Sequence, residues 1–476
     1  MTRPQERPEP RAHRPVKIVA TIGPASRDSG TIARLIGAGV DVVRLNLSHG
    51  TWASHREAAR VIRRESKAAG RHVMILADLP GPKIRLGALP GGRVSLAAGE
   101  TVRLSGTGVT GALPVLLPRL ADAVAPGDRI LLADGAVELE VERVADNVVS
   151  CVVTIGGAVS SRKGISLPSA SWAPAAFTPA DRKALALAID LGADAVALSF
   201  VGAASDIAAA RRAATRLGAA GLPFVAKIET RRALADLEAI VAAADGVMVA
   251  RGDLGVEIPP EEVPPAQRRI VAAARRAARP VIVATQMLVS MVVAPRPTRA
   301  EAADVAGAVW EGADAVMLSE ETAVGSHPVE AVGTMARIIA SAAREAAKDG
   351  PADAPDYGTS SAIGRAACQL ARDLRAAAIV AATESGHTAL MVSRHRPPCP
   401  IVGLTPNRTT ARRLSLLWGV TPVLRPSYAS VGDMTSKAAE AARTLGLASP
   451  GDLLVCTAGL PFRQAGTTNL IRVVEV

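Results

Sequence analysis

The fold is decided by PFVAKIET (223–230), RRALADLEAIVAAADG (231–246) and VMVARGDLGVEIP (247–259). Two short apolar runs rich in β-formers, Phe224 to Ile228 and Val247 to Ala250, flank a segment with helical spacing, the pattern of a βαβ unit. Both runs end in charge, the first at Lys227 and Glu229 and the second at Arg251 and Asp253. Residues at the carboxyl ends of neighbouring parallel strands converge on one mouth. Two carboxylates, a lysine and an arginine there suit a divalent metal holding an anionic, phosphorylated substrate.

Outward from this unit the same rhythm continues. Apolar runs of strand length, separated by helical stretches, fall at Lys17–Thr21, Val42–Leu45, Val73–Ala77, Ala195–Phe200, Phe224–Ile228, Val247–Ala250, Val281–Thr285 and Ala315–Leu318. Continuous apolar strands alternating with helices predict a parallel sheet covered on both faces, and this number of them closes most naturally into a TIM (β/α)8 barrel. The runs end in Thr21, Arg44 with Asn46, Asp78, Ser199, Lys227 with Glu229, Arg251 with Asp253, Thr285 with Gln286, and Ser319 with Glu321. Any one of these alone is more often a helix cap or a solvated loop residue; their recurrence points to a site on the C-terminal face.

The rhythm breaks after the third run. Period-two patterns and glycine turns (RVSLAAGETVRLSG, DRILLADGAVELEVERVADNVVSCVV) predict a small all-β domain over 87–177, placed to act as a lid, with Pro80, Gly81, Pro82 and Gly87 at one hinge and Lys163–Pro168 at the other. The barrel then occupies 16–86 and 178–347, a Pro/Gly/Asp linker spans 348–358, and a C-terminal α/β domain spans 359–476, giving an α/β protein of three parts. In the last part TESGHT (383–388) joins a strand to a helix; its hydroxyls and free amides suit a phosphate, although an N-cap with a tight turn explains them as well.

Composition narrows the classes. Aromatic content of 2% against 49% hydrophobic residues favours small aliphatic strands in α/β architecture over an all-β sandwich. The cysteines Cys151, Cys368, Cys399 and Cys456 form no CxxC pair, which argues against a disulfide framework or thiolate metal site and fits a reducing, cytoplasmic compartment. No apolar run reaches the roughly 18 residues of a membrane span. Residues 1–15 are Pro- and Arg-rich without an apolar core and read as a disordered basic arm, not a secretion signal. The net charge of +11 invites nucleic acid, but the arginines are dispersed along helices with few aromatics to stack on bases, so no nucleic-acid partner is expected.

No GxxxxGK[ST] loop is present. KIVATIGPAS (17–26), VVRLNLSHG (42–50), AKIET (226–230), MVARGDLGVEIP (248–259), VIVATQML (281–288), PRPTRAE (295–301), DAVMLSEETA (314–323), TESGHTA (383–389) and AGTTNLIRV (465–473) together resemble pyruvate kinase, in order, from about residue 16 to 476. The resemblance implies the last step of glycolysis: phosphoryl transfer from phosphoenolpyruvate to ADP, giving pyruvate and ATP. It implies a divalent cation, Mg2+ or Mn2+, held by Glu229 and Asp253. Lys227 resembles the catalytic lysine, Arg44 would grip the phosphate, the amides of Gly252 and Asp253 would hold the substrate carboxylate, and Thr285 would assist them and belong to the proton route. Asn46, His49, Arg85 and Lys163 resemble residues reaching the nucleotide. A homotetramer is implied, as is a phosphorylated effector at Thr383, Ser385, Gly386 and Thr388.

The main departure is Asp78-Leu-Pro-Gly-Pro-Lys-Ile-Arg-Leu86. Potassium-dependent members carry Thr or Ser at Leu79, Lys at Pro80, Glu at Lys83 and Thr at Leu86; the combination here resembles the potassium-independent branch. The monovalent-cation site, or its replacement, would comprise Asn46, Ser48, Asp78, Leu79 and Lys83, an ammonium supplying about 4 kcal/mol of attraction to a nearby anion at an effective dielectric near 20. Gly202, Gly307 and Val289 also depart from common family residues, without touching the metal ligands or Lys227. A metal-dependent aldolase or lyase on the same barrel is the rival enzyme, but it needs neither lid nor Lys163.

Overall fold

In the computed structural model, which describes residues 14–133, 135–168, 175–346, 358–462 and 466–476, the apolar runs close into a parallel barrel. Its strands, in chain order, are Lys17–Thr21, Val42–Asn46, Met74–Asp78, Ala195–Leu198, Phe224–Ile228, Gly246–Ala250, Val281–Ala284 and Ala315–Leu318. Both faces are buried because alternate residues go opposite ways: Ile18 and Ala20 pack outward under the helices, whereas Val19 joins Val42, Met74, Leu76, Ala197, Met248 and Ile282 in the barrel interior. Two runs stop short of the expected end. The fourth ends at Leu198 and not Phe200, and the seventh at Ala284 and not Thr285, because Phe200 (φ 54°) and Thr285 (φ 71°) turn into left-handed backbone that a strand cannot continue through.

At the amino-terminal end of the barrel a fourfold device appears. An aspartate immediately precedes each even-numbered strand, and its Oδ2 accepts a backbone N–H from the first or second residue of the preceding odd-numbered strand. Asp41 takes Ile18 N at 3.0 Å, Asp194 takes Ile75 N at 2.9 Å, Asp245 takes Phe224 N at 2.8 Å and Asp314 takes Val281 N at 2.9 Å. Strand ends leave unpaired donors, and carboxylates satisfy them with charge-assisted bonds.

The inserted domain is a seven-stranded sheet with a two-stranded one beside it, around its own apolar core. It begins at Ile84, earlier than the expected 87. Ile84 and Arg85 pair with Ile165 and Gly164, and Leu86 is buried in the insert's core and not the barrel's. At the far side Phe177 packs in the barrel core, so the barrel resumes before the expected 178. The linker at 348–357 lies outside the described residues, and Gly358 caps the helix Thr359–Asp373.

The C-terminal domain is a five-stranded sheet in the order Val420–Leu424, Ile401–Thr405, Ala378–Ala382, Leu453–Ala458, Leu470–Glu475, with the last strand antiparallel. It closes the barrel's amino-terminal end. Leu416, from the loop after the helix Arg408–Leu414, is buried among the barrel-interior side chains as a plug. Around it Arg396 pairs with Asp314 at 2.9 Å, Arg412 with Asp194 at 2.6 Å, and Lys17 Nζ donates to Val420 O at 2.7 Å. The Ser415 hydroxyl donates to His72 O. Of the expected arm 1–15, residues 1–13 lie outside the described residues, while Arg14 pairs with Asp41 and Pro15 O accepts from Gly419 N at 2.8 Å. Among the described residues no helix is long and apolar enough to cross a membrane.

Candidate active site

The carboxyl ends of the strands bring Arg44, Asp78, Ser199, Lys227 and Glu229 into one charged network. Lys227 Nζ lies 2.7 Å from Glu229 Oε1 and 3.4 Å from Asp78 Oδ1, and it donates to Ser199 Oγ at 2.8 Å. Arg44 Nε donates to Asp78 Oδ2 at 2.7 Å, and its Nη1 reaches Thr21 Oγ1 at 3.2 Å. Glu229 and Asp78 are 0% and 1% exposed. Burial alone would lower Lys227, but Asp78 and Glu229 outweigh it and hold the ammonium well above its ordinary value. For Asp78 burial acts upward and is outweighed by Lys227 and Arg44, so its carboxyl stays below the usual range. The Lys227–Glu229 pair is unequal: burial, with Asp253 adding to it, pushes Glu229 up to about 7 against the pull of Lys227 and the Phe200 N–H. Asp253 thus acts on both members of the pair from the next strand end.

Glu229 is poised as a cation ligand. Its Oε2 accepts Phe200 N at 2.6 Å, which fixes the carboxylate, while buried Oε1 has no aligned hydrogen-bond donor among the described residues despite the nearby ammonium. A hard oxygen on a fixed carboxylate, with the charge of Asp253 acting on it, fits Mg2+ or Mn2+. No cluster of three or more His, Cys, Asp or Glu suited to a metal is found among the described residues. Two carboxylates are what Mg2+ commonly takes from protein, the rest coming from substrate and water.

On the neighbouring strand ends, Gly252 N donates to Thr285 Oγ1 at 2.7 Å. The amide expected to await a substrate carboxylate is therefore engaged by the hydroxyl expected to assist it. His49 lies near Lys83, Arg85 and Arg44; burial first, and then these three cations, hold its imidazole below its ordinary value. Arg85 Nη1 donates to Arg162 O at 2.9 Å and Lys163 O accepts Leu86 N, so Arg85 and Lys163 meet where the strands of the insert leave the barrel. Asn46 Oδ1 accepts Ser48 N at 3.1 Å, and Leu79 is 1% exposed. Lys83 is exposed and makes no ion pair with Asp78, whose oxygens face Arg44 and Lys227. Gly81 (φ 68°) packs so closely that a Cβ would fall 2.7 Å from Phe200 Cδ2 and 2.8 Å from Ser199 Cβ, which seats the connection between barrel and insert directly on the site.

In the C-terminal domain Thr383, Ser385 and Thr388 line one recess with Glu384, His387, Tyr428 and Phe462. Gly386 N donates to Thr383 Oγ1 at 2.9 Å, and the Thr388 hydroxyl is 2.9 Å from that of Thr468. The loop's polar groups are partly spent on each other. Ser199 is legible in the sequence only as a strand-end residue, and Phe200 N, which orients Glu229, is not legible there, because a backbone donor carries no residue signature.

A family model described as pyruvate kinase, barrel domain, matches residues 13–332, and one described as pyruvate kinase, alpha/beta domain, matches 361–474. A pyruvate kinase of Agrobacterium vitis is 46% identical over 477 residues, covering 98% of this chain and 99% of that protein. The pyruvate kinase of Mycobacterium tuberculosis strain H37Rv is 43% identical over 460 residues, covering 96% and 97%. That of Geobacillus stearothermophilus is 42% identical over 474 residues, covering 97% of this chain and 80% of its own length.

Proposed function

The chain belongs to the pyruvate kinase family, and from that premise we propose how its own residues carry phosphoryl transfer between phosphoenolpyruvate and ADP. The observation that carries the assignment of roles is the Lys227 contact with Glu229 at 2.7 Å at the barrel mouth, with Asp253 acting on both. Glu229 and Asp253 hold the divalent cation, which when bound neutralises charge on substrate carboxylate and phosphate. Lys227 and Arg44 face the transferring phosphoryl group and stabilise its equatorial oxygens, since such a transfer needs positioned cations more than covalent help. Gly252 and Asp253 amides take the substrate carboxylate once Thr285 Oγ1 has given up the Gly252 N–H. Thr285 then serves the proton route to the enolate through water, because a threonine hydroxyl is too weak an acid to act alone. Asn46 and His49 and, from the inserted domain, Arg85 and Lys163 reach the nucleotide phosphates. Purified protein with phosphoenolpyruvate, ADP and Mg2+ tests the reading: pyruvate forming only when ADP is present supports it, and ADP-independent release of pyruvate favours a lyase.

We further assign the chain to the potassium-independent branch. Asp78, the anion that a monovalent cation would otherwise accompany, is met by Arg44 and Lys227 in this structure, and Leu79 brings no hydroxyl. Lys83 sits on the hinge side, where lid closure can carry its ammonium inward. Activity in buffer free of sodium and potassium is expected to equal that with potassium, and Lys83→Glu to introduce partial dependence; roughly tenfold stimulation of the parent, about 1.4 kcal/mol, would sink the assignment.

The TESGHT recess is assigned to a phosphorylated metabolite that controls the barrel. A route is available through the helix Arg408–Leu414: the Thr410 hydroxyl donates to Glu384 O at 2.8 Å, and two residues on Arg412 grips Asp194, which caps the strand ending in Asp78. In a panel of sugar phosphates and nucleotides, effectors are expected that shift phosphoenolpyruvate half-saturation. Arg412→Ala should keep their binding and lose the shift. Absence of any response in the parent would remove the effector site. A homotetramer belongs to the same reading: Val289, Val293 and Val324 leave apolar surface where Ser326 N bonds Val292 O at 2.8 Å, and light scattering reads the mass. A cytoplasmic location accords with the substrates and with buried cysteines that form no disulfide among the described residues.

A further inference from the structure

We propose that Arg251 is a positioning residue for this reaction, its guanidinium holding the Thr285–Gln286 turn in left-handed backbone and so keeping the Thr285 hydroxyl on the Gly252 N–H. The proposal rests on the assignment of Thr285 and Gly252 to the substrate end of the site. Thr285 and Gln286 have φ of 71° and 56°, consecutive positions that side-chain-bearing residues avoid and that a β-branched threonine avoids most. Each such residue costs on the order of 1–3 kcal/mol and persists only where its surroundings over-determine it.

Arg251 supplies that determination. Its Nε donates to Ala284 O at 3.3 Å and its Nη2 to Thr285 O at 2.5 Å, so the carbonyls on both sides of the turn's first residue are caught by one planar fork. The fork is itself anchored: Nη1 pairs with Asp304 Oδ1 at 2.6 Å, and the arginine side chain is 10% exposed. A lysine has one ammonium and cannot reproduce three directed donors. With the backbone held, Thr285 Oγ1 accepts Gly252 N at 2.7 Å and donates to Ala284 O at 2.5 Å. The hydroxyl oxygen therefore stands where a substrate carboxylate oxygen would accept, and binding exchanges one oxygen for the other. Only the threonine χ1 has to rotate, because the fork leaves the main chain no freedom. Arg251 sets that exchange distance without touching substrate.

Arg251→Gln and Arg251→Lys are expected to lower kcat by ~10²-fold, the usual consequence of a displacement near 1 Å, with the KM for phosphoenolpyruvate changing far less. Exchange of pyruvate methyl protons with D2O, followed by NMR, should fall in parallel, since it samples the proton route alone. Gln286→Gly should restore part of kcat to Arg251→Gln, because glycine adopts the positive φ without a clamp. A merely structural arginine would lower the thermal midpoint and leave kcat per folded molecule and proton exchange unmoved. That result, or absence of rescue by Gln286→Gly, overturns the proposal. Thr285→Val separates it from the reading beneath it: an unchanged kcat there removes Thr285 from the site and the clamp's purpose with it. A loss there with none in Arg251→Gln removes the clamp alone.

Discussion

Lys227→Met is expected to lower kcat by about three powers of ten, about 4 kcal/mol, while the barrel stays folded. Methionine keeps most of the side chain's length and apolar bulk, so the substitution removes charge and little packing. Lost with the ammonium are the contact to Glu229 at 2.7 Å, the contact to Asp78 at 3.4 Å and the hydrogen bond to Ser199. Arg44 still pairs with Asp78, so the second cation remains in place. What disappears is the donor aimed at charge that develops during transfer, in a site walled from water where such a donor counts most. Steady-state kinetics with circular dichroism as a folding control decides it; a kcat within tenfold of the parent would leave the transfer without its proposed centre.

The second large effect concerns stability. Asp194→Ala should destabilise the fold by about 3–5 kcal/mol, the range for stripping one partner from a buried ion pair, whereas Asp245→Ala should cost about 1 kcal/mol or less beyond its lost strand cap. The two aspartates do the same local task, each accepting a backbone N–H at the start of the preceding strand, Ile75 or Phe224. They differ in burial. The Asp194 side chain is 1% exposed and serves Arg63 and Arg412, the latter from the C-terminal domain; that of Asp245 is 35% exposed and pairs with a half-exposed Arg211. Removing Asp194 strands two guanidinium groups at the domain junction and frees the floor around Leu416. Urea unfolding of both variants checks the ordering, and equal losses would show that the strand cap, not the buried pair, carries the energy.

Much of this protein could be read in one dimension. The eight apolar runs, their alternation with helices and the polar residue after each were enough to place Lys227, Glu229 and Asp253 at a common mouth, because strand and helix periods are local and a parallel barrel orders its strand ends by geometry. The insert and the C-terminal unit were legible for the same reason, as changes of period, although the lid's first strand at Ile84 was not, its two residues being too short to show one. Four groups needed the tertiary structure. Phe200 N on Glu229, the Arg251 fork on the turn at Thr285, the aspartate ring and the Leu416 plug all join residues by contacts between elements, and three of them use backbone atoms that every residue possesses. The aspartates did leave a trace, since GADAV stands at 192–196 and again at 312–316. Which N–H each one caps, and which arginine meets it from the other domain, depends on how strands neighbour in space, and that pairing is settled only when the barrel closes and its floor is filled.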